Sequence, residues 1–91
     1  MRALFEPGQI VATPGALDAL ERNQQAPALY LRGHLALDRG VLCAQDNAEN
    51  HRALKSGARI LSAFQMPDGT RLWIITEADR SVTTLLLPED Y

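Results

Sequence analysis

Two apolar segments separated by a tight turn constrain the fold of this chain most strongly. Residues 59–66 read Arg-Ile-Leu-Ser-Ala-Phe-Gln-Met, and residues 70–77 read Thr-Arg-Leu-Trp-Ile-Ile-Thr-Glu. Between them, Pro67-Asp68-Gly69 supplies turn chemistry, because proline restricts φ and glycine accepts a positive φ. Branched and aromatic side chains favour strands. The sequence therefore predicts a β-hairpin in its second half.

A third strand extends this hairpin. A second reversal over residues 78–81 leads into residues 82–87, where Pro88 ends the strand because it has no N–H to donate. The three strands are predicted to form an antiparallel meander. Side chains alternate across a strand, so Leu72 and Ile74 lie on one face while Trp73 and Ile75 lie on the other. Both faces are thus expected to be covered in part, either by the protein's own helices or by a partner chain.

The first half of the chain is predicted to be mostly helical. Residues 9–12 form a short strand, and Thr13 with Pro14 then provides an N-cap and a first helical residue for a helix that reaches about Arg22. A second helix starts at Pro27 and ends before the turn at residues 38–40. Ala28, Leu31 and Leu35 share one face of this helix, and Gly33 weakens it in the middle.

A third helix is predicted over residues 44–56, closed by Gly57 at a C-cap position. Its apolar stripe is weak, so most of it is expected to be exposed. The whole chain, residues 1–91, is thus predicted to be a single α+β domain with a short N-terminal strand, three helices and a three-stranded antiparallel β-meander.

Size and charge limit the classes of function. A chain of 91 residues has a thin core and little room for an enclosed active site, so function is expected on its surface. A net charge of -2 argues against a protein that mainly coats nucleic acid, although the arginines of the second half leave a local basic patch open. No apolar run has the length of a signal peptide or a membrane span, which predicts a cytoplasmic protein that makes no membrane contact. The single cysteine, Cys43, is interpreted as a small, partly buried apolar residue.

Several segments together resemble a known family. They are residues 9–17 (Gln-Ile-Val-Ala-Thr-Pro-Gly-Ala-Leu), residues 59–64, residues 68–81, Thr83-Thr84 before Leu-Leu-Pro, and the final Tyr91. They are similar to small bacterial proteins of plasmids and integrated elements, some of which carry the label type I restriction modification subunit. That label does not suit this chain, which has neither the Gly-rich cofactor loop nor the Asn/Asp-Pro-Pro-aromatic motif of a methyltransferase. The family often has Gly-Asp-Trp-Gly where this chain has Leu37-Asp38-Arg39-Gly40. The resemblance implies a role in mobile genetic elements.

The segment from Thr76 to Ser81 is the most conspicuous polar cluster. Glu77 and Asp79 flank a turn beside Arg80, which suits an acid–base pair with an anion-binding cation. The alternative is a turn that satisfies its own polar groups, with Glu77 and Arg80 paired across it.

Histidines give a second candidate. His51, with Arg59, Arg71 and Arg80, suits RNA binding or cleavage, whereas the alternative is a solvated helix face. Neither His51 nor His34 has a second ligand at helical spacing, so no metal and no cofactor are predicted.

Aromatic residues give a third candidate. Trp73 and Tyr30 suit anchors in a protein contact, although a tryptophan in a central strand more often joins helices to the sheet. We therefore expect a non-enzymatic accessory or regulatory protein that binds a protein partner or a second copy of itself, with RNA binding as the alternative. The predicted binding residues are Arg71, Trp73, Glu77, Asp79, Arg80 and Ser81.

Overall fold

The computed structural model describes residues 3–38, 40 and 44–91. Its helices are α1 (Pro14–Arg22), α2 (Pro27–Leu35) and α3 (Ala44–Ser56); its strands are β1 (Gln9–Ala12), β2 (Ile60–Gln65), β3 (Arg71–Thr76) and β4 (Val82–Leu86), and a 3₁₀ turn covers Pro88–Asp90. The predicted α+β class and the three predicted helices are confirmed. The predictions at Arg39 and Cys43 lie outside the described residues.

The sheet differs from the predicted meander in one respect. Strands β2, β3 and β4 are antiparallel as expected, but β1 joins them to give four strands in the order β1-β4-β3-β2. Strand β1 runs parallel to β4, with the Gln9 N–H donating to the Ser81 carbonyl at 3.0 Å and the Thr13 N–H to the Leu85 carbonyl at 2.9 Å. The pairing is parallel because the helices carry the chain back to the end of the sheet at which β1 begins, so that β2 and, after two reversals, β4 run in the direction of β1.

Alternation along the strands gives the sheet two different faces. On the inner face, side chains of β2, β3 and β4 form the core with α1 and α2: Phe64, Leu72, Ile74 and Leu85 with Ala16, Ala19, Leu20 and Tyr30. The outer face carries the alternate residues of each strand, among them Val11, Ala63, Arg71, Trp73, Ile75 and Leu86. Trp73 therefore lies away from α1 and α2, and the prediction that it joins helices to the sheet was wrong.

Helix α1 is fixed at its first turn. The Thr13 hydroxyl accepts from the Ala16 N–H at 3.1 Å and donates to Asp90 Oδ2 at 2.7 Å, so the N-cap is tied to the C-terminal turn. The same hydrogen bond lowers the pKa of Asp90. The C-terminal 3₁₀ turn is thus held against the start of α1.

Helix α2 buries the predicted face only in part, because Leu31 packs partly buried against the core but the fully buried residues are others. Tyr30, Gly33 and His34 are its buried residues, whereas Ala28 is exposed. Gly33 serves packing, because a Cβ at this position would lie 3.1 Å from the Phe64 ring. Tyr30 is only 7% exposed, so the suggestion that it is a surface anchor was wrong.

Helix α3 is mostly exposed, as predicted, and covers the outer edge of β2. The Asn50 side chain donates to the Leu61 carbonyl at 2.6 Å and accepts from the Leu61 N–H at 3.1 Å. An amide side chain thereby takes the place of a neighbouring strand. Ala53 contributes to a small second core with Leu37 and Ile60.

Candidate functional site

An aromatic pair lies on the outer face of the sheet. Trp73, in the middle of β3, meets Tyr91 edge-on, with ring centroids 5.8 Å apart and planes at 66°. Trp73 is partly exposed and Tyr91 is 73% exposed. The 3₁₀ turn after β4 brings Tyr91 back over β3, which local sequence patterns do not reveal.

Two arginines flank this pair. Arg59 donates from Nη2 to the Tyr91 hydroxyl at 3.0 Å, and its Cζ lies 5.8 Å from the centre of the Tyr91 ring. The hydrogen bond to Tyr91 raises the pKa of Arg59, and Glu77 adds a smaller electrostatic contribution. Arg71 is exposed and precedes Trp73 by two residues on the same face. We call Arg59, Arg71, Trp73 and Tyr91 the aromatic–arginine patch.

The structure divides the predicted binding residues into two groups. Arg71 and Trp73 occupy alternate positions of β3 and share the outer face of the sheet, and Glu77 directly follows the strand. Asp79, Arg80 and Ser81 form the turn between β3 and β4 instead. Two of the predicted binding residues, Arg71 and Trp73, thus belong to the aromatic–arginine patch, and the polar turn beside it is a separate feature.

The polar turn satisfies many of its own groups. Asp79 Oδ1 accepts from the Ser81 N–H at 3.0 Å, and hydrogen bonds from the Ser81 hydroxyl and N–H lower the pKa of Asp79. An Asp with a lowered pKa stays ionised near neutral pH, so it cannot supply a proton there. Within the turn, Arg80 Nη1 donates to the main-chain carbonyls of Glu77 at 3.1 Å and Ala78 at 3.3 Å, in place of the predicted pairing with the Glu77 carboxylate.

Arg80 acts as a clamp between the turn and α3. Its Nη1 donates to the Ala58 carbonyl at 2.7 Å, and its Nη2 donates to the Ala53 carbonyl at 3.1 Å. Its Cζ lies 5.7 Å from the centre of the Phe5 ring. Arg80 itself has a φ of 59°, in the left-handed region that non-glycine residues rarely adopt. These contacts commit much of the guanidinium to holding the fold.

The residues predicted for RNA binding are dispersed. Arg59 and Arg71 belong to the patch, whereas Arg80 points toward the end of α3. His51 is exposed on α3 and lines a shallow groove with Lys55, while Arg59 lines another groove with Ser56. The structure thus does not join His51 to Arg71 in one site.

A buried chain of hydrogen bonds crosses the inner face of the sheet, and sequence analysis missed it. His34 Nδ1 lies 2.6 Å from Ser62 Oγ, and His34 Nε2 lies 2.7 Å from Thr76 Oγ1. Thr76 Oγ1 is 2.7 Å from Thr83 Oγ1, which in turn donates to the Pro7 carbonyl at 2.7 Å. All four side chains are 0% exposed. The chain therefore links α2 and three strands to the segment before β1.

The donor and the acceptor of each hydrogen bond follow from the group at the end of the chain, the Pro7 carbonyl. A carbonyl only accepts, so Thr83 uses its one proton on Pro7 and must accept from Thr76. Thr76 then accepts from His34 Nε2–H, and the Nδ1 of the neutral ring accepts from the Ser62 hydroxyl. Burial lowers the pKa of His34 from 6.5 to about 4, which agrees with a neutral ring.

The Ser62–His34 pair has the contact of a nucleophile with its base, but it is closed off from solvent within the described part of the chain. Both side chains are fully buried between α2 and the sheet. A signal for this chain exists in the sequence: Ser62, Thr76 and Thr83 occupy inward positions otherwise filled by apolar residues. Hydroxyls at inward positions require a buried partner, and His34 provides one.

Comparison of the chain with protein-family models found no match, and neither did comparisons with curated proteins or with solved structures. Within residues 3–38, 40 and 44–91, no group of three His, Cys, Asp or Glu side chains is arranged to hold a metal ion. No helix in that part of the chain is long and apolar enough to span a membrane.

Proposed function

We propose that this protein is a non-enzymatic binding module that holds a protein partner on its aromatic–arginine patch. The observation that carries the proposal is the contact of partly exposed Trp73 with exposed Tyr91, with Arg59 bound to Tyr91 and exposed Arg71 on the same face. Tryptophan, tyrosine and arginine dominate the residues that contribute most to protein–protein binding. Such a patch suits a partner surface with an apolar centre and a carboxylate at its rim.

The proposal also covers the cellular role of the protein. The resemblance of the sequence to proteins of plasmids and integrated elements supports a cytoplasmic accessory or regulatory role in bacterial mobile elements. Two observations support binding over chemistry: the Ser62–His34 pair is buried, and the Asp79 carboxylate accepts from the Ser81 N–H within its own turn.

Affinity capture with two charge-reversed variants tests this proposal. Arg71→Glu alters the patch, whereas Arg32→Glu makes the same change of net charge at an exposed position of α2 outside the patch. Both variants and the native chain are used as bait in nuclease-treated lysate of the source bacterium. We expect a partner that is retained by the native chain and by Arg32→Glu, and lost with Arg71→Glu. Equal retention by all three baits would refute the proposed surface.

RNA binding is the second candidate function. Bases stack on exposed aromatic rings, and arginines neutralise the neighbouring phosphates, so the patch also suits a single strand. Titration with a fluorescent single-stranded RNA at two salt concentrations separates the two functions. RNA binding predicts salt-dependent affinity that Arg71→Glu abolishes and Arg32→Glu largely preserves. Absence of binding by the native chain at moderate salt would exclude this candidate.

A further inference from the structure

The two edge strands of the sheet differ in whether their outward main-chain groups have partners. At the β2 edge, Asn50 occupies the N–H and carbonyl of Leu61, and Gly40 passes so close that a Cβ there would lie 2.3 Å from the Ala63 carbonyl. That edge is covered. At the β1 edge, no strand among residues 3–38, 40 and 44–91 pairs with β1 on the side away from β4.

Strand β1 is short, with four residues, but it carries none of the charged or proline residues that protect many open edges. Its sequence, Gln9-Ile10-Val11-Ala12, contains no charge and no proline. Proteins normally protect open edges with charged side chains, prolines or bulges, because an unprotected edge pairs with other strands. Ile10 is 47% exposed and Val11 is 38% exposed, so both faces of the strand present apolar surface at this edge.

The direction of the main-chain groups fixes how a second strand can pair. Gln9 and Thr13 donate their N–H groups to β4. Main-chain groups alternate in direction along a strand, so those of Ile10 and Ala12 point away from β4, toward the open edge. An antiparallel copy of β1 with its two-fold axis at Val11 would pair Ile10 of each copy with Ala12 of the other.

This register is self-complementary. Val11 faces Val11 of the second copy on the outer face, Ile10 faces Ala12, and Gln9 faces Thr13, so no facing pair contains a charge. We propose that two copies of this chain associate through antiparallel pairing of their β1 strands, which joins two four-stranded sheets into one. The pairing involves few residues, so the dimer is expected to be weak and to dissociate on dilution. It does not depend on the aromatic–arginine patch.

Disulfide trapping tests both the pairing and its register. Val11 lies in a non-hydrogen-bonded pair, whose Cα atoms are about 4.5 Å apart, within the range that a disulfide spans. Residues at position 9 of the two copies are about 13 Å apart, because Gln9 faces Thr13. In a Cys43→Ser background, we expect mild oxidation to link Val11→Cys into a dimer and to leave Gln9→Cys monomeric. Equal cross-linking of both variants, or of neither, would overturn the proposal.

Sedimentation of the purified chain gives a second measurement without cysteines. Val11→Thr keeps a branched, neutral side chain, so its dimer should form over the same concentration range as that of the native chain. Val11→Lys places two like charges opposite each other and should sediment as a monomer at all concentrations. A native chain that remains monomeric throughout, or a Val11→Lys dimer, would contradict the pairing. Because no other molecule is added, these outcomes are independent of the partner-binding test.

Discussion

At the scale of single residues, His34 is held as a neutral donor and acceptor inside the protein. Its ring bridges Ser62 and Thr76, and burial lowers its pKa to about 4. An unfolded chain binds a proton at His34 near pH 6.5, whereas the folded chain does not. The unfolded state therefore gains protons first as the pH falls, and the folded state loses stability.

The buried neutral ring of His34 makes the free energy of unfolding depend on pH. The contribution of His34 is fully present above its ordinary pKa of 6.5 and is lost as the pH falls toward about 4, a total of about 3 kcal/mol. Denaturant unfolding across this range measures it. His34→Gln should be less stable at neutral pH but show a flatter profile, whereas exposed His51→Gln should keep the native profile. An unchanged slope in His34→Gln would show that another group is responsible.

Arg80 is a second residue whose role the structure redefines. Its guanidinium holds the carbonyls of Ala53 and Ala58, and its ring contact is with Phe5. We expect Arg80→Ala to lower the free energy of unfolding by about 2 kcal/mol, because hydrogen bonds to a charged donor are lost. Arg71→Ala, at an exposed position, should change it by less than about 0.5 kcal/mol. Equal unfolding midpoints for the two variants would contradict the clamp.

At the scale of elements, α3 stabilises the sheet through its edge. Asn50 is 6% exposed and satisfies both main-chain groups of Leu61. We expect Asn50→Ala to cost about 2 kcal/mol of stability and to expose the β2 edge. Asn47→Ala on the same helix is the control; the buried Oδ1 of Asn47 has no hydrogen-bond partner within the described part of the chain, so its removal should cost less. The comparison requires chemical denaturation and amide exchange at Leu61. Similar losses in both variants would argue against the edge-capping role.

The sequence predicted elements best where their signals are local. Thr13 with Pro14, and Gly57 after Ser56, marked ends of α1 and α3 where the structure has them. The burial of Gly33 and His34 on α2 was not predicted, because glycine and histidine resemble surface residues until their partners, Phe64 and the inward hydroxyls, are known. The position of β1 was missed because parallel pairing joins residues far apart in sequence.

In the candidate site, too, features with a local sequence signal could be predicted, and those set by long-range contacts could not. The alternation of side chains along β3 is a local pattern, and it was enough to place Trp73 on the face opposite Leu72 and Ile74, as in the structure. Tyr91 could not be assigned to that face, because it arrives there through the 3₁₀ turn and the contact between Asp90 and Thr13. Arg80 was adjacent in sequence to the predicted site, but its side chain turns toward α3.

At the scale of the whole molecule, the surfaces of the sheet have separate roles. Two helices cover the inner face, Asn50 closes one edge, and β1 leaves the other edge open. The outer face presents the aromatic–arginine patch. A dimer through β1 would extend the sheet and place two patches on one continuous surface, which would strengthen binding to a partner that carries two matching sites.

Trp73 provides the most direct test of the patch, because it is the one tryptophan among the 91 residues. A chain labelled with 5-fluorotryptophan gives one ¹⁹F signal, which can be followed during titration with the captured partner. The account predicts that this signal shifts or broadens in step with complex formation, and that Arg71→Glu leaves it unchanged at the same partner concentrations. A complex that forms while the Trp73 signal stays at its free position would contradict the account.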